Sequence, residues 1–293
     1  MLNTYVVEGG VGKCTAFTAL LPKLKKKSEV QIYTPYIGCF ANNPDVKLAL
    51  ESTLPLQDSR IMASDNIFYC EPYKSNFQFG KQHIIESYCE HHGVDFNRSM
   101  SPKLYTEQHK ASVTKWLGDN NIGKYIMIQF SGGQAKWSYG DNVQYTNINP
   151  NRNYQPYLAQ QVVNMLREEY PDTTIINCVL PNEPHYQGTI RCDLHWVQIH
   201  EMLKGSEGFV SIDSCLQHFS ASTKTHGVVI WGSTRWTQFG YSHNKNMHFH
   251  MKNEWDESKF VDSDPRNNMV EPQLIIDNFK KLDKTKTVAC ATK

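Results

Sequence analysis

Residues 208–234 have the types and spacing of a ligand-binding site at one edge of a parallel sheet. A predicted strand ends before the polar pair Asp213-Ser214, which can cap the helix that follows. His218 lies about one helical turn further on, and a second predicted strand ends at Gly232-Ser233-Thr234. Because neighbouring parallel strands end at the same sheet edge, an acid, hydroxyls and an imidazole would surround a helix N-terminus. That arrangement suits an anionic, hydroxyl-rich ligand such as a nucleotide-diphosphate sugar.

The glycine-rich turn near the N-terminus carries a second signal. Residues 8–15, EGGVGKCT, are similar to a phosphate-binding loop, which needs Gly-x-x-x-x-Gly-Lys-Ser/Thr and a hydroxyl to hold Mg²⁺. Val7 stands at the position of the first glycine, and Cys14 replaces the hydroxyl with a thiol, a poor ligand for a hard cation. A nucleoside triphosphatase is therefore less favoured than a turn in which Gly10 and Gly12 let the backbone approach a ligand.

The elements that must position these residues alternate between strands and helices. An apolar run near residue 5, a helical pattern and a second apolar run near residue 30 predict a βαβ unit, and hence a parallel sheet. Residues 43–51 predict a short helix. After the polar stretch 119–123 the pattern restarts, with buried strands predicted at 125–130, 174–180, 208–212 and 227–231.

Two Rossmann-like halves are the simplest organisation of this pattern. We predict an acceptor-side domain over 1–122 and a nucleotide-sugar-binding domain over 123–270. For 271–293 we predict a helix that crosses back to the first domain and a frayed tail.

Composition narrows the possible functions. The 293 residues include 30 Lys and Arg and 29 Asp and Glu, so the net charge is +1 and no extended basic nucleic-acid surface is expected. No apolar run approaches the roughly 18 residues of a membrane-spanning helix, and the N-terminus does not resemble a signal peptide. Eight scattered cysteines without a Cys-x-x-Cys pair indicate reduced thiols in the cytoplasm and no structural zinc.

The stretch 208–234 resembles the signature of the heptosyltransferase family of glycosyltransferases, the ADP-heptose:lipopolysaccharide type. In that family a strand runs into Asp-Ser/Thr-Gly-x-x-His on a helix, and a second strand ends at Phe-Gly-Pro/Ser-Thr. The matching residues here are 213–218, DSCLQH, and 231–234, WGST. Residues 43–46, NPDV, and the final helix near 272–279 agree in order and spacing. The resemblance covers most of the chain and is weak outside residues 208–234.

The resemblance implies a GT-B fold, with two doubly wound domains facing across a cleft. It also implies sugar transfer from a nucleotide-diphosphate sugar to an acceptor such as a glycan, inverting and independent of a metal. No cofactor is implied beyond this donor, which is a co-substrate. The donor-binding residues implied or placed by position are Arg152, Glu183, Asp213, Ser214, Cys215, His218, Gly232, Ser233 and Thr234. Arg152, or else Lys136, takes the place of a family lysine that holds the diphosphate.

Two positions depart from the family pattern. Lys13 stands where the family has the aspartate that is its candidate general base, and Cys215 replaces a glycine. The base must then come from elsewhere, with Glu8 one candidate, while Lys13 could bind the diphosphate or an anionic acceptor.

Three alternatives stay open: a GT-B enzyme that modifies DNA bases, a non-catalytic sugar-nucleotide binder and a P-loop NTPase. The oligomeric state is unspecified.

Overall fold

The computed structural model describes residues 1–55, 58–132, 134–136, 144–146, 152–179, 183–232, 234–248 and 270–282. These residues form two main β-sheets, each made of parallel strands with helices packed on it, and a small two-stranded sheet. The predicted α/β class with two parallel sheets is confirmed.

The first sheet has the strand order β3-β2-β1-β4, with all neighbours parallel. Its strands are β1 (Leu2–Val6), β2 (Glu29–Thr34), β3 (Leu48–Glu51) and β4 (Asn66–Tyr69). The helices of this half are α1 (Val11–Phe17), α2 (Leu21–Leu24), α3 (Ser59–Met62), α4 (Ser75–Gln78) and α5 (Ile84–His91). The strand order reverses beside β1, so the glycine turn that follows β1 lies at a topological switch point.

The helix predicted over 43–51 is wrong. Its second part is β3, whose Leu50 lies opposite Tyr33 of β2. Leu50 is buried while its neighbour Glu51, on the other face of the strand, is exposed. Pairing with β2 satisfies backbone groups that a short isolated helix would leave to solvent.

The second sheet has the strand order β12-β11-β10-β5-β8-β9, again with parallel neighbours. Between the two sheets in the chain lies α6 (Lys110–Asp119), and β5 (Tyr125–Gln129) is followed by the antiparallel pair β6 (Gln134–Lys136) and β7 (Gln144–Thr146). Next come α7 (Pro156–Glu169), β8 (Thr174–Cys178), β9 (Ile190–Cys192), α8 (Trp196–Leu203), β10 (Gly208–Ile212) and α9 (Cys215–Thr223). The chain continues through β11 (Gly227–Trp231), α10 (Trp236–Phe239), β12 (Lys245–His248) and α11 (Pro272–Lys280).

The apolar core is continuous from one half to the other. One cluster joins Phe17 and Leu20 of the first half to Phe209 and Phe219 of the second, and α1 packs directly on α9. A second cluster fills the opposite face of the second sheet, beneath α7 and α11. The two halves therefore meet along α1 and α9, the helices that follow the two central strands β1 and β10.

The last helix does not cross back to the first half as predicted. Instead α11 packs against α7, and its Ile275, Ile276 and Phe279 are buried on the outer face of the second sheet. Those side chains complete an apolar layer that α7 alone leaves open, so the helix is held within the second half. The tail beyond residue 282 lies outside the described residues.

The boundary predicted at residue 122 stays a prediction. α6 lies before that boundary, yet it contacts α8 of the second half. Within the described residues, no helix combines the length and apolar character needed to cross a membrane.

Candidate functional site

A cavity of about 1000 Å³ lies between the carboxyl ends of the two sheets. From the first half it is lined by residues 10–13, 35–38, Glu51, Tyr73 and Ile84. From the second half the lining includes Gln129, Gly132, Arg152, Glu183, Asp213, Ser214, Cys215, His218 and Thr234. Both sheets therefore present the strand ends at which open α/β folds bind ligands.

Asp213 connects the ends of three strands. The hydroxyl of Thr234, after β11, donates to Oδ2 of Asp213 at 2.7 Å. The guanidinium of Arg152, reached through the loop after β5, lies 3.6 Å from the same oxygen and also donates to the backbone carbonyl of Asp213. Asp213 is only 6% exposed. The acid therefore positions the arginine at the cavity, where the remaining N–H groups of its guanidinium can bind an anion.

The N-terminus of α9 opens on the same side. Ser214 is its N-cap residue in extended conformation, and its hydroxyl donates to Oε1 of Gln129 at 2.6 Å. Ser214 and Cys215 both line the cavity, so the first turn of the helix presents its free N–H groups there. Burial raises the pKa of the Cys215 thiol to about 11. Cys215 is therefore protonated at neutral pH and is not a nucleophile.

His218 reaches the cavity from the next turn of α9. Burial, with a smaller contribution from the positive charge of Arg152, lowers the pKa of His218 to about 3, so the imidazole is neutral. Its Nδ1 lies 3.1 Å from the hydroxyl of Tyr241. Because a phenol is the better donor and an imidazole nitrogen the better acceptor, we assign the proton of His218 to Nε2.

Gly12 and His218 form a close contact between the halves. A Cβ atom on Gly12 would lie 2.5 Å from Cδ2 of His218, closer than atoms can approach. A glycine at this position therefore allows α1 and α9 to pack together. Gly10 is the N-cap of α1 and also lines the cavity, with open space where its Cβ would be.

The two predicted catalytic residues lie in different surroundings. Lys13 lines the cavity, but its ammonium group lies 3.1 Å from Oε2 of Glu71 and 4.6 Å from the ring centre of Tyr73. Glu8 is exposed and stands outside the cavity lining. An ammonium group donates hydrogen bonds and has no lone pair to accept a proton, so Lys13, paired with Glu71, does not replace the missing base.

The thiol that follows Lys13 faces inward. Cys14 is fully buried, with its sulfur 3.5 Å from the Thr34 hydroxyl and 3.8 Å from the Val7 carbonyl, and burial raises its pKa to about 12. A phosphate-binding loop would need this position to present a metal ligand to the nucleotide. The geometry therefore disfavours the P-loop interpretation.

Other predicted residues divide between inside and outside the cavity. Glu183, after β8, lines it, whereas Gly232 is buried outside the lining, and Ser233 falls outside the described residues. Residues 191–196, at β9 and the start of α8, line the cavity but were missed from sequence. The three-residue strand β9 gave too short an apolar run to mark this loop.

The described residues contain no group of three or more His, Cys, Asp or Glu side chains that could hold a metal ion. The cysteines among them are free thiols, all buried except the half-buried Cys215.

No protein-family model matches this sequence, and no curated protein sequence is significantly similar to it. Solved structures do match along nearly the whole chain. A glycosyl transferase family 9 protein from Veillonella parvula aligns with a TM-score of 0.70 at 9% identity, covering 96% of both chains. The E. coli ADP-heptose lps heptosyltransferase II aligns with a TM-score of 0.63 at 11% identity, covering 96% of this chain and 98% of that one.

The E. coli heptosyltransferase WaaC, solved with ADP-2-deoxy-2-fluoro heptose, aligns with a TM-score of 0.57 at 9% identity and covers 96% of this chain and 99% of its own. The chain therefore has the GT-B fold of the heptosyltransferases, as predicted.

Proposed function

We propose that this chain is a glycosyltransferase that moves a sugar from a nucleotide-diphosphate sugar to an acceptor hydroxyl. The observation that carries the proposal is the convergence of Arg152 and the N-terminus of α9 in a cavity between two GT-B sheets. An arginine and a helix N-terminus together form a strong binding site for a diphosphate. The similar WaaC structure holds an ADP-sugar analogue, which supports the same class of donor here.

The chemistry follows from where charge develops. As the sugar leaves, negative charge accumulates on the diphosphate, and Arg152 and the N–H groups of α9 stabilise it. His218, neutral and protonated at Nε2, donates a hydrogen bond to the donor and does not supply a proton to the leaving group. These groups supply the stabilisation that a metal ion would otherwise give, so we propose metal-independent transfer. The acceptor hydroxyl on the opposite wall attacks the anomeric carbon as the bond from that carbon to the diphosphate breaks, which inverts the anomeric centre, and the hydroxyl proton passes to solvent.

Lys13 favours one second candidate, a sugar-nucleotide binder without transferase activity. Its ammonium group stands where the resemblance implies a catalytic base and is already paired with Glu71. Hydrolysis of the donor in the absence of acceptor separates the two candidates, since a pure binder leaves the donor intact.

Thermal unfolding with a panel of ADP-, UDP- and GDP-sugars tests the proposal. A ligand at 100 times its Kd adds about 2.7 kcal/mol to the free energy of unfolding, so the matching donor should raise the Tm clearly. The parent nucleoside monophosphates serve as controls, because they lack the diphosphate that Arg152 and α9 would bind. If no nucleotide sugar raises the Tm, the donor site and the proposed function both fail. Location in the cytoplasm stays a prediction.

A further inference from the structure

The wall that the first half contributes to the cavity offers little to an anion. Among its described lining residues the charged ones are Lys13 and Glu51. The ammonium of Lys13 is already paired with Glu71, so this small group of charges sums to −1. An anionic acceptor placed here would meet a carboxylate and would have to displace Glu71 to reach a cation.

Aromatic and apolar side chains make up much of the same wall. Tyr36 and Ile37 follow β2, and Tyr73 follows β4. Ile37 is 39% exposed and Tyr73 is 38% exposed, so apolar surface faces the open cavity. Across the junction Tyr36 meets Trp196 edge to face, with ring centres 6.1 Å apart. A sugar ring carries hydroxyls at its rim and C–H groups on its faces, and those faces pack on such rings.

Glu51 supplies the polar half of the same recognition. It lies at the carboxyl end of β3, its side chain is exposed at the cavity, and no ion pair joins it to another described residue. An ionised carboxylate only accepts hydrogen bonds, and its two oxygens suit two neighbouring hydroxyls. The same charge repels a phosphate or a carboxylate.

We propose that this wall is the acceptor subsite and that it takes an uncharged carbohydrate, not an anionic glycan or a nucleic acid. The inference rests on the proposed function, because it treats the second half as the donor side. The cavity, at about 1000 Å³, is at the upper end of the range for small-molecule sites, and this wall belongs to the half opposite the one that carries the donor-binding residues. Glu51 and Tyr36 are then the residues that select the acceptor.

Saturation-transfer NMR on the full chain tests this selection, with an excess of the nucleoside diphosphate of the matching donor present so that the anion site at Arg152 and α9 is occupied. The neutral probes are the methyl glycosides of glucose, galactose, mannose and N-acetylglucosamine, and the anionic probes are glucose 6-phosphate and a ten-residue oligothymidylate. At equal ionic strength at least one methyl glycoside should bind ten-fold or more tightly than either anion. Tyr36→Leu should weaken that binding roughly 3- to 10-fold, since it removes the ring and keeps apolar bulk.

A charge reversal makes the test sharper. Glu51→Lys should weaken the methyl glycoside and create measurable binding of glucose 6-phosphate. Glu168→Lys, the same change at an exposed site on α7, should leave both unchanged. The inference is overturned if the wild-type chain binds either anion more tightly than every methyl glycoside. It is also overturned if the wild-type chain binds no methyl glycoside. Failure of the proposed function is read separately, from the nucleotide-sugar unfolding panel, which involves none of these probes.

Discussion

At the scale of single residues, the contact between Gly12 and His218 is the most sensitive point of the cavity. Gly12→Ala places a methyl group 2.5 Å from Cδ2 of His218, so the imidazole or α1 must shift. We expect a loss of about 1–3 kcal/mol in the free energy of unfolding, together with weaker nucleotide-sugar binding. Gly10→Ala is the matched control, because its Cβ would enter open space in the same turn.

A double-mutant cycle checks the cause of that loss. His218→Ala removes the atoms that the new methyl group would meet, so Gly12→Ala should be nearly neutral in that background. Urea unfolding of the four proteins gives the coupling free energy. If Gly12→Ala costs the same with and without His218, the steric explanation is wrong.

Arg152 carries a prediction about affinity. Its guanidinium is held at the cavity by Asp213, and the side chain of Asp213 is only 8% exposed. The guanidinium is therefore placed to bind the donor diphosphate. A hydrogen bond to a charged group contributes about 1.5–3 kcal/mol, so Arg152→Gln should weaken nucleotide-diphosphate binding roughly 10- to 150-fold. Isothermal titration measures this change, and Arg98→Gln, on an exposed loop, should match the wild type. Equal affinity in all three proteins would remove Arg152 from the donor site.

The sequence located part of this cavity and missed the rest for a physical reason. Asp213 and Thr234 come together because each follows a strong apolar run and parallel strands end at one edge, whereas Arg152 is placed by the family resemblance. Glu51 is the last residue of a four-residue strand and Trp196 follows a three-residue strand, and such short apolar patterns also occur in helices. Residues at the ends of long buried strands can be placed from sequence, whereas those beside short edge strands need the fold.

At the scale of elements, α11 tests which half the last helix stabilises. Ile275 lies on the inner face of this helix and is fully buried, whereas the adjacent Leu274 is 48% exposed. Ile275→Ala should reduce the free energy of unfolding by about 2–5 kcal/mol, because it leaves a cavity beside α7. Leu274→Ala, the same kind of truncation one residue earlier, should change it by only about 0.5 kcal/mol. Hydrogen exchange in β10 and β11 should rise with Ile275→Ala, while unchanged exchange there would contradict the packing.

Periodicity predicts elements more reliably than it predicts their partners. The pattern of α11 correctly indicated an amphipathic helix, since Ile275, Ile276 and Phe279 share its buried face. Which surface covers that face depends on the space left beside α7, and no local pattern records that space. The same limit applies to 43–51, where pairing with β2 decides between helix and strand.

At the scale of the whole molecule, buried neutral histidines couple stability to pH. His83, His200 and His218 are each 5% exposed or less, and burial lowers the pKa of each to about 3. In the unfolded chain an imidazole titrates near 6.5. Below pH 6.5 the unfolded chain therefore binds more protons than the folded chain does. The free energy of unfolding does not depend on these histidines above about pH 6.5, and it falls as the pH drops from 6.5 toward 3.

We therefore expect acid to destabilise the chain well before most carboxylates titrate. Below pH 6 each buried histidine should cost about 1.4 kcal/mol per pH unit, and the three together roughly 4 kcal/mol per pH unit. Urea unfolding between pH 7.5 and 5 measures this slope. His200→Gln, whose amide can still bond Thr106 and Ser222, should reduce the slope by about one proton, whereas His185→Gln, at an exposed site, should not. A wild-type slope that His200→Gln leaves unchanged would mean that His200 is protonated in the folded chain, which its buried bonds to two hydroxyls do not favour.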